Sequence, residues 1–147
     1  MKYDGPLVHP TVDVAIIDKP LGRMLFARKP NRTTLCFPGG FADVLSTSYE
    51  EDAIREVKEE TGLEVTRPCY IGSCIIDDER FRQTPNRIKT LLFVCDYQGG
   101  TPKADDDIEF VTWKKFGEIR EAEVSENHRP LLWMLNDYFN NEILRLP

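Results

Sequence analysis

Four carboxylates occur at helical spacing between Ser48 and Gly62. Ser48, with Glu51 three residues later, has the form of a capping box, which predicts a helix that begins at about Tyr49. Gly62 is placed to end that helix. At 100° per residue, the acids fall within roughly one third of the helix circumference. They are Asp52, Glu56, Glu59 and Glu60.

This acidic face favours the binding of a cation. Like charges at i and i+4 on a helix repel each other by a few tenths of a kcal/mol per pair, and neither Arg55 nor Lys58 lies in the middle of the face to neutralise it. Hard divalent cations take oxygen ligands, and a few carboxylates leave positions open for water and substrate phosphates. The pattern therefore predicts a site for Mg²⁺ (or Mn²⁺). A solvated acidic helix face is the alternative, and it is the usual outcome for an isolated charge run.

The neighbouring arc of the same helix is apolar and is expected to face a core. The acids are then expected to point away from that core, so that replacing one of them should leave the fold intact. The residues of the apolar arc are Ala53, Ile54, Val57 and Thr61.

The spacing around the helix resembles the Nudix hydrolase family, whose box reads G-x5-E-x7-R-E-U-x-E-E-x-G-U, with U aliphatic. The closing half of the box is matched at every specified position, from Arg55 to Leu63. The opening half differs, because the loop after Gly40 is one residue longer and Thr47 stands where the family has its first glutamate. That exchange puts the rate and the metal affinity in question. Asp52 is a candidate to compensate for the missing carboxylate.

The resemblance implies roles for individual residues. Glu56, Glu59 and Glu60 become metal ligands, and the backbone carbonyl of Gly39 becomes a further one. Arg55 becomes the residue that orients a glutamate through a charge-assisted hydrogen bond. The identity of the general base is left open among Glu56, Glu59, Asp107 and Glu109.

A second acidic stretch, residues 104–113, leads into a strand that ends in Trp113. Many Nudix proteins have a similar stretch, and several use it to supply a further carboxylate to the metals or to the attacking water. Asp107 and Glu109 are the candidates here. A plain acidic turn is the alternative for each of them.

Residues 77–87 place three arginines around one aromatic side chain. Guanidinium groups bind phosphates and aromatic faces stack on bases, so this composition suits a nucleotide substrate. The alternative is a hairpin tip with solvated charges. The candidate substrate contacts are Phe41, Arg80, Phe81, Arg82 and Arg87.

The rest of the chain predicts the elements that position these residues. Alternation and apolar runs indicate strands at residues 12–16, 23–28, 63–66, 70–76 and 89–97. A last helix is predicted, with Ser125 or Asn127 as its cap and Pro130 near its first turn. Its apolar face, which is expected to pack on the rest of the domain, comprises Leu131, Leu132, Leu135 and Phe139. Strands on both sides of an acidic helix favour an α/β fold with a mixed sheet between helices. The resemblance names it as the Nudix α/β/α sandwich.

Length and composition limit the number of domains, the location and the partners that the chain is expected to have. The length of 147 residues predicts one domain, residues 1–147, and the apolar runs are too short to span a bilayer. The absence of an apolar signal core at the amino terminus predicts a cytoplasmic protein. The four cysteines, none of them in a Cys-x-x-Cys pair, are expected to be reduced packing residues, and two histidines exclude a histidine-rich metal site. A net charge of −6 argues against broad binding of nucleic acid. The sequence is also compatible with a homodimer.

The resemblance implies hydrolysis of a nucleoside diphosphate linked to another moiety, by attack of water on one phosphorus of the pyrophosphate. ADP-ribose and NADH-like dinucleotides are the favoured substrates. The alternatives are a MutT-like pyrophosphohydrolase of nucleoside triphosphates and a non-catalytic nucleotide-sensing domain. A hydrolase of RNA 5′ ends is disfavoured by the acidic charge balance.

Overall fold

The computed structural model describes residues 1–145. These residues form seven strands and two helices, with short 3-10 turns in the connections. In order they are β1 (Val8–Asp18), β2 (Arg23–Arg28), β3 (Gly39–Phe41), α1 (Tyr49–Thr61), β4 (Glu64–Val65), β5 (Cys69–Ile76), β6 (Arg87–Gly99), β7 (Phe110–Lys115) and α2 (Arg129–Tyr138).

The strands form one mixed sheet with β1 near its centre. The order is β4-β6-β1-β2-β7, with β5 also paired to β6 and β3 also paired to β1. β1 runs parallel to β6, from Val8 opposite Arg87 to Ile17 opposite Asp96. It runs antiparallel to β2 and to β3. This arrangement places the diglycine strand β3 directly beside the central strand of the sheet.

Each face of the sheet is covered by one helix. On β1, Val12, Val14 and Ile16 belong to the core that Ala53 and Val57 of α1 complete. The alternate residues Ala15 and Ile17 belong to the core on the other face, to which α2 contributes Leu131, Leu132 and Leu135. Because both faces are covered, β1 is buried without interruption from Val12 to Asp18. The predicted α/β/α sandwich is confirmed.

The bounds predicted for α1 are confirmed. The Ser48 hydroxyl accepts a hydrogen bond from the backbone N–H of Glu51 at 3.1 Å. Gly62 has φ of 71°, and its N–H donates to the carbonyl of Lys58 at 3.0 Å.

The orientation predicted for α1 is wrong for two groups of residues. Ile54 lies 44% exposed, outside the core. The acids are mostly buried, with Asp52 1%, Glu56 6% and Glu60 2% exposed. The physical reason is that α1 packs against β3 as well as β1. Because the two residues beside the helix in β3 are glycines, the carboxylates fill the space their side chains would occupy.

The last helix begins later than predicted, and its capping prediction is wrong. α2 starts at Arg129, after a 3-10 turn at Glu126–His128, and His128 is its N-cap residue. No side chain among residues 1–145 caps either element. Pro130 lies in the first turn, as expected. The His128 side chain is used elsewhere, in a hydrogen bond with the backbone of Phe37.

The cysteines fit the prediction only in part. Cys36 and Cys95 are buried, whereas Cys69 is exposed and Cys74 is half-buried, and all four are free. Neither of the two helices within residues 1–145 has the length and hydropathy needed to cross a membrane.

Candidate active site

The site is built around the diglycine strand, where β1 and α1 meet. In β3, Gly39 pairs with Asp13 and Gly40 pairs with Val12. A Cβ atom on Gly40 would lie 2.6 Å from Oε1 of Glu56, and one on Gly39 would lie 2.7 Å from Oδ1 of Asp13. A Cβ atom on Gly39 would also overlap the backbone carbonyl of Val12. Glycine at these positions therefore lets both β1 and the two buried carboxylates approach β3 closely.

Glu60 is the most perturbed acid of the helix. Its Oε2 accepts a hydrogen bond from the Gly39 N–H at 2.9 Å. Burial raises the pKa of Glu60 to about 8, helped by the charges of Glu56 and Asp107, while the Gly39 hydrogen bond and the charge of Lys29 work in the opposite direction. A buried carboxylate in this state is stabilised either by a proton or by a cation.

Two aspartates from the 104–113 stretch join Glu60. One carboxylate oxygen each from Glu60, Asp106 and Asp107 lies within 4.8 Å of the other two. The loop that carries them is fixed to the end of α1, because Lys103 N–H donates to the carbonyl of Thr61 and Asp105 N–H donates to that of Glu60. Three carboxylate oxygens at this spacing fit a hard divalent cation such as Mg²⁺ or Mn²⁺.

The structure separates the two carboxylates proposed from this stretch. Asp107 lies in the cluster with Glu60, and its neighbour Asp106, which the sequence analysis did not single out, lies there too. Glu109 belongs to none of the acid clusters found within residues 1–145. It approaches Arg28 at 3.7 Å instead. The reason is its position beside β7, where its backbone N–H donates to the carbonyl of Arg28.

Arg55 crosses the acid face and binds several of its members. Its guanidinium lies 2.9 Å from Oε1 of Glu56 and 3.0 Å from Oε2 of Glu59. It also lies 3.3 Å from Asp52 and donates to the carbonyl of Phe41 at 3.2 Å. The expectation from helical geometry that Arg55 would not neutralise this face is wrong, because its long side chain reaches across to three of the acids.

Glu56 and Glu59 differ in environment although Arg55 binds both. Burial raises the pKa of Glu56, and the neighbouring charge of Arg55 opposes that rise. The side chain of Glu59 is 48% exposed. Glu56 therefore lies against the glycine strand, whereas Glu59 faces solvent.

Asp52 has a different role from the one proposed for it. Its Oδ1 accepts from the Asp43 N–H at 3.0 Å, and its Oδ2 accepts from the Ser46 hydroxyl at 2.9 Å. Both oxygens are therefore engaged by the loop before α1 and by Arg55, which leaves Asp52 poorly placed to replace a missing metal ligand. Asp52 holds the lengthened loop against the helix.

Thr47, the residue at the family's first glutamate position, is also engaged in the start of α1. Its backbone N–H and its hydroxyl both donate to Oε2 of Glu51, at 2.7 and 2.8 Å. These bonds lower the pKa of Glu51. The hydroxyl at position 47 thus stabilises the helix start.

Three of the proposed substrate contacts form one group beside the acids. The rings of Phe41 and Phe81 have centroids 6.4 Å apart, and the guanidinium of Arg80 lies 5.3 Å from the Phe41 centroid. Phe41 is 40% exposed. We call Phe41, Arg80 and Phe81 the aromatic shelf, and the Phe41 carbonyl ties it to Arg55.

The other two proposed contacts are engaged elsewhere. Arg82 pairs with Asp77 at 2.9 Å, and Arg87 donates to the carbonyls of Thr84 and Asn86. Together with Phe81 they line a cavity of about 230 Å³. This cavity has no lining residue from α1 or β3.

A larger groove, of about 730 Å³, follows the outer side of α1 and includes Ile54, Arg67 and Pro68. It shares Arg55 and Glu59 with the acid face but is not lined by Glu56 or Glu60. The closely spaced carboxylates of Glu60, which is buried, and of Asp106 and Asp107, which are exposed, lie outside this groove. They make the acid face, rather than the groove, the candidate for the chemistry.

Sequence reasoning missed further residues at the site. Burial raises the pKa of both Asp13 and Glu60, and the charge of Lys29, in the connection after β2, opposes that rise. Asp106 could have been found from its place in the same aspartate run as Asp107. Asp13 and His128 could not, because only the fold brings them to β3.

Comparison with known proteins identifies the family to which the chain belongs. The model of the NUDIX domain family matches residues 7–134. An ADP-ribose pyrophosphatase from Methanocaldococcus jannaschii is 38% identical over 103 residues, which is 68% of this chain and 59% of that protein. A NAD-capped RNA hydrolase NudC from Vibrio atlanticus is 33% identical over 102 residues, which is 68% of this chain and 34% of that protein. The chain thus spans between a third and three fifths of the length of these two relatives.

A solved structure supports the fold. The MutT NUDIX hydrolase from Burkholderia pseudomallei superposes with a TM-score of 0.71 at 20% identity, covering 87% of this chain and 98% of that one. The family match extends over most of the chain and includes the glycine strand, the acid helix and the acidic loop. The chain belongs to the NUDIX domain family.

Proposed function

We propose that the chain is a divalent-metal-dependent hydrolase that cleaves the pyrophosphate bond of a nucleoside diphosphate linked to another moiety. The observation that carries this proposal is the cluster of Glu60, Asp106 and Asp107, whose oxygens lie within 4.8 Å of one another. Family membership supports the reaction class.

In this proposal the helix acids and the aspartate loop hold Mg²⁺ or Mn²⁺. The bound ion neutralises charge on the phosphate oxygens and lowers the pKa of water. Glu60, Asp106 and Asp107 would hold it, with Glu56 and the carbonyl of Gly39, the ligands that the family box implies, as further donors. Arg55 fixes the carboxylates of Glu56 and Glu59 through the contacts described above.

The remaining task is to remove a proton from the attacking water. Glu59 is suited to it, because it is exposed to solvent and held in place by Arg55. Asp107 is the alternative base. Glu109 is less suited than either, because its carboxylate approaches Arg28.

The favoured substrates are ADP-ribose and related dinucleotides such as NADH. The aromatic shelf supports a planar base at this end of the site, since the exposed ring of Phe41 offers a stacking surface. The guanidinium of Arg80 lies over that ring and is held there by an ion pair with Asp78 at 2.7 Å. The M. jannaschii relative, named as an ADP-ribose pyrophosphatase, supports the same class.

A second candidate function is a nucleotide-sensing domain without turnover. It is favoured by Thr47, which binds Glu51 where other family members have a carboxylate. Because the other box acids are present and closely spaced, we prefer the hydrolase.

The test is release of nucleotide or phosphate from a panel of ADP-ribose, NADH, FAD, diadenosine polyphosphates, nucleotide sugars and nucleoside triphosphates, with Mg²⁺ or Mn²⁺. Glu60→Gln is the control, because glutamine keeps an acceptor for the Gly39 N–H but removes the charge. We expect cation-dependent cleavage of ADP-ribose or NADH that the variant loses. Cleavage of triphosphates alone would move the substrate to the MutT-like class, and nucleotide binding without any cleavage would favour the sensing domain.

A further inference from the structure

His128 and Asp13 come from distant parts of the chain and meet beneath the glycine strand. Nε2 of His128 lies 3.8 Å from Oδ1 of Asp13. The other oxygen of Asp13 accepts a hydrogen bond from the hydroxyl of Thr90 on β6. On the far side of the imidazole, Nδ1 of His128 accepts from the backbone N–H of Phe37 at 3.1 Å. The four groups form a buried chain of contacts from β6 to the start of β3.

These contacts define the state of the imidazole. Nδ1 accepts a hydrogen bond from a backbone amide, so it carries no proton. The single proton of the neutral ring is therefore on Nε2, where it faces Asp13. Burial lowers the pKa of His128, which also favours the neutral ring. The ring of His128 also stacks on that of Phe37, with centroids 5.9 Å apart.

The segment that His128 holds leads directly to the acid site. Phe37 is followed by Pro38, whose carbonyl accepts from the Val14 N–H at 2.9 Å. Gly39 comes next, and its own N–H donates to Glu60. The direction of that N–H depends on the path of residues 37–39, which is fixed by the two bonds between Cys36 and Ala27, by the Pro38 bond and by the pairing of Gly39 with Asp13. The Phe37 bond to His128 is a further one, and it comes from the helix on the opposite face of the sheet.

We propose that His128, held by Asp13, is a positioning residue that sets residues 37–39 so that the Gly39 N–H meets Glu60. The inference rests on the proposed function, because it assigns His128 an effect on the cation site through this backbone. Groups that orient a metal ligand without touching the metal typically change metal affinity 10- to 100-fold when removed. His128 would therefore act on cation affinity from outside the site.

Two substitutions separate the hydrogen bond from packing. His128→Phe keeps a planar ring against Phe37 but has no acceptor. His128→Asn is smaller, but its side-chain oxygen is able to accept from the Phe37 N–H. Ile143→Val serves as a control for general loss of stability, because Ile143 is fully buried in the same core as α2 and belongs to none of the contacts described above.

The measurements are Mn²⁺ affinity, kcat and KM for the nucleotide, and hydrogen exchange of the Phe37 and Gly39 amides. We expect His128→Phe to weaken Mn²⁺ binding by about tenfold, to lower kcat more than it changes KM, and to lose protection at both amides. His128→Asn should restore most of the affinity and the protection. Ile143→Val should match the wild type in Mn²⁺ affinity.

The outcomes distinguish the inference from the proposed function. If the wild type binds Mn²⁺ while His128→Phe binds it as tightly and keeps the Gly39 amide protected, the positioning inference is overturned and the proposed function stands. Equal weakening in Ile143→Val would also overturn it, since stability alone would then explain the effect. A wild type that binds no Mn²⁺ overturns both.

Discussion

At the scale of single residues, the burial of the acids governs their chemistry. Glu60 lies beneath the Gly39 N–H with two further carboxylates close by, and burial raises its pKa to about 8. In the metal-free protein this residue keeps its proton near neutral pH. A divalent cation must displace that proton, so binding of the cation is linked to proton release.

Stability of the metal-free protein is expected to fall as the pH rises from about 6.5 to 8. The folded state keeps the Glu60 proton up to about 8, whereas the unfolded chain releases it near 4.5. The folded state therefore binds more protons in this window, and the free energy of unfolding declines with pH. One proton sets a slope of at most about 1.4 kcal/mol per pH unit. Urea unfolding in the presence of a chelator measures it.

The window starts at pH 6.5 because of His128, whose ordinary pKa is 6.5 and whose pKa in the folded protein is lowered by burial. Below pH 6.5 the unfolded chain binds the His128 proton more readily, so this residue makes the free energy of unfolding rise with pH. Glu60→Gln is the control and should remove most of the decline. Saturating Mg²⁺ should remove it too, because the cation replaces the proton. A wild type whose stability increases across this window would contradict the assignment.

Gly40→Ala is expected to lower turnover by at least about tenfold while the protein stays folded. The added Cβ would lie 2.6 Å from Oε1 of Glu56, so the carboxylate must move away from the strand. Misplacing a catalytic group by about 1 Å typically costs about 100-fold in rate. Steady-state kinetics with circular dichroism checks the prediction. Gly99→Ala is the matched control, since, apart from Gly99 and its two chain neighbours, no residue in the described range 1–145 has an atom within 4 Å of the Cβ it would gain.

At the scale of elements, α1 organises the loop before it as well as the acid site. Asp52 accepts from the Asp43 N–H and the Ser46 hydroxyl and pairs with Arg55. This explains how the loop accommodates one residue more than the family's box. The extra length is fixed by a side chain from the helix.

Asp52→Ala should destabilise the protein by about 1–3 kcal/mol, because it removes the hydrogen bonds that the Asp43 N–H and the Ser46 hydroxyl make to a buried carboxylate. It should also lower turnover, since Arg55 loses one of the groups that hold it. Denaturant unfolding and kinetics measure the two effects. Glu50→Ala, which removes another acid from the same first turn, is expected to change stability by less than about 1 kcal/mol. Equal effects of the two substitutions would show that Asp52 has no special role.

The elements were predictable from sequence where local chemistry decides them. Neighbouring residues alone determine the helix cap at Ser48, the helix end at Gly62 and the strand Arg23–Arg28. The start of α2 was not, because the His128 side chain binds Phe37, which is far away in sequence. The burial of the acids was missed for the same reason, since it depends on β3 packing against α1.

At the scale of the whole molecule, the proposed cation site joins segments that are far apart in the sequence. β3, α1 and the loop carrying Asp106 and Asp107 meet there, and α2 reaches it through His128 from the other face of the sheet. Of the three helix glutamates that the box motif implies as ligands, Glu60 lies in the acid cluster with Asp106 and Asp107. The partners from β1, the connection after β2 and α2 required the fold, because periodicity and motif spacing carry no information about such contacts.

Binding of Mg²⁺ or Mn²⁺ is therefore expected to stabilise the whole fold. A cation concentration 100 times its dissociation constant adds about 2.7 kcal/mol, which corresponds to a rise in Tm of roughly 5–10 °C for a chain of this size. Thermal unfolding with and without chelator measures the shift. It should be much reduced in Glu60→Gln, and an equal shift in that variant would place the cation elsewhere.

The measurement that tests the central claim most directly is the initial rate of ADP-ribose hydrolysis as a function of Mn²⁺ concentration, for the wild type, Asp107→Asn and Glu109→Gln. Asp107 lies in the cluster with Glu60, whereas Glu109 approaches Arg28. We expect Asp107→Asn to need at least about tenfold more Mn²⁺ and to turn over more slowly, and Glu109→Gln to follow the wild-type curve within a factor of about two. A wild-type rate that does not depend on Mn²⁺, or an Asp107→Asn curve that coincides with that of the wild type, would contradict the claim that this acid cluster holds the cation for hydrolysis.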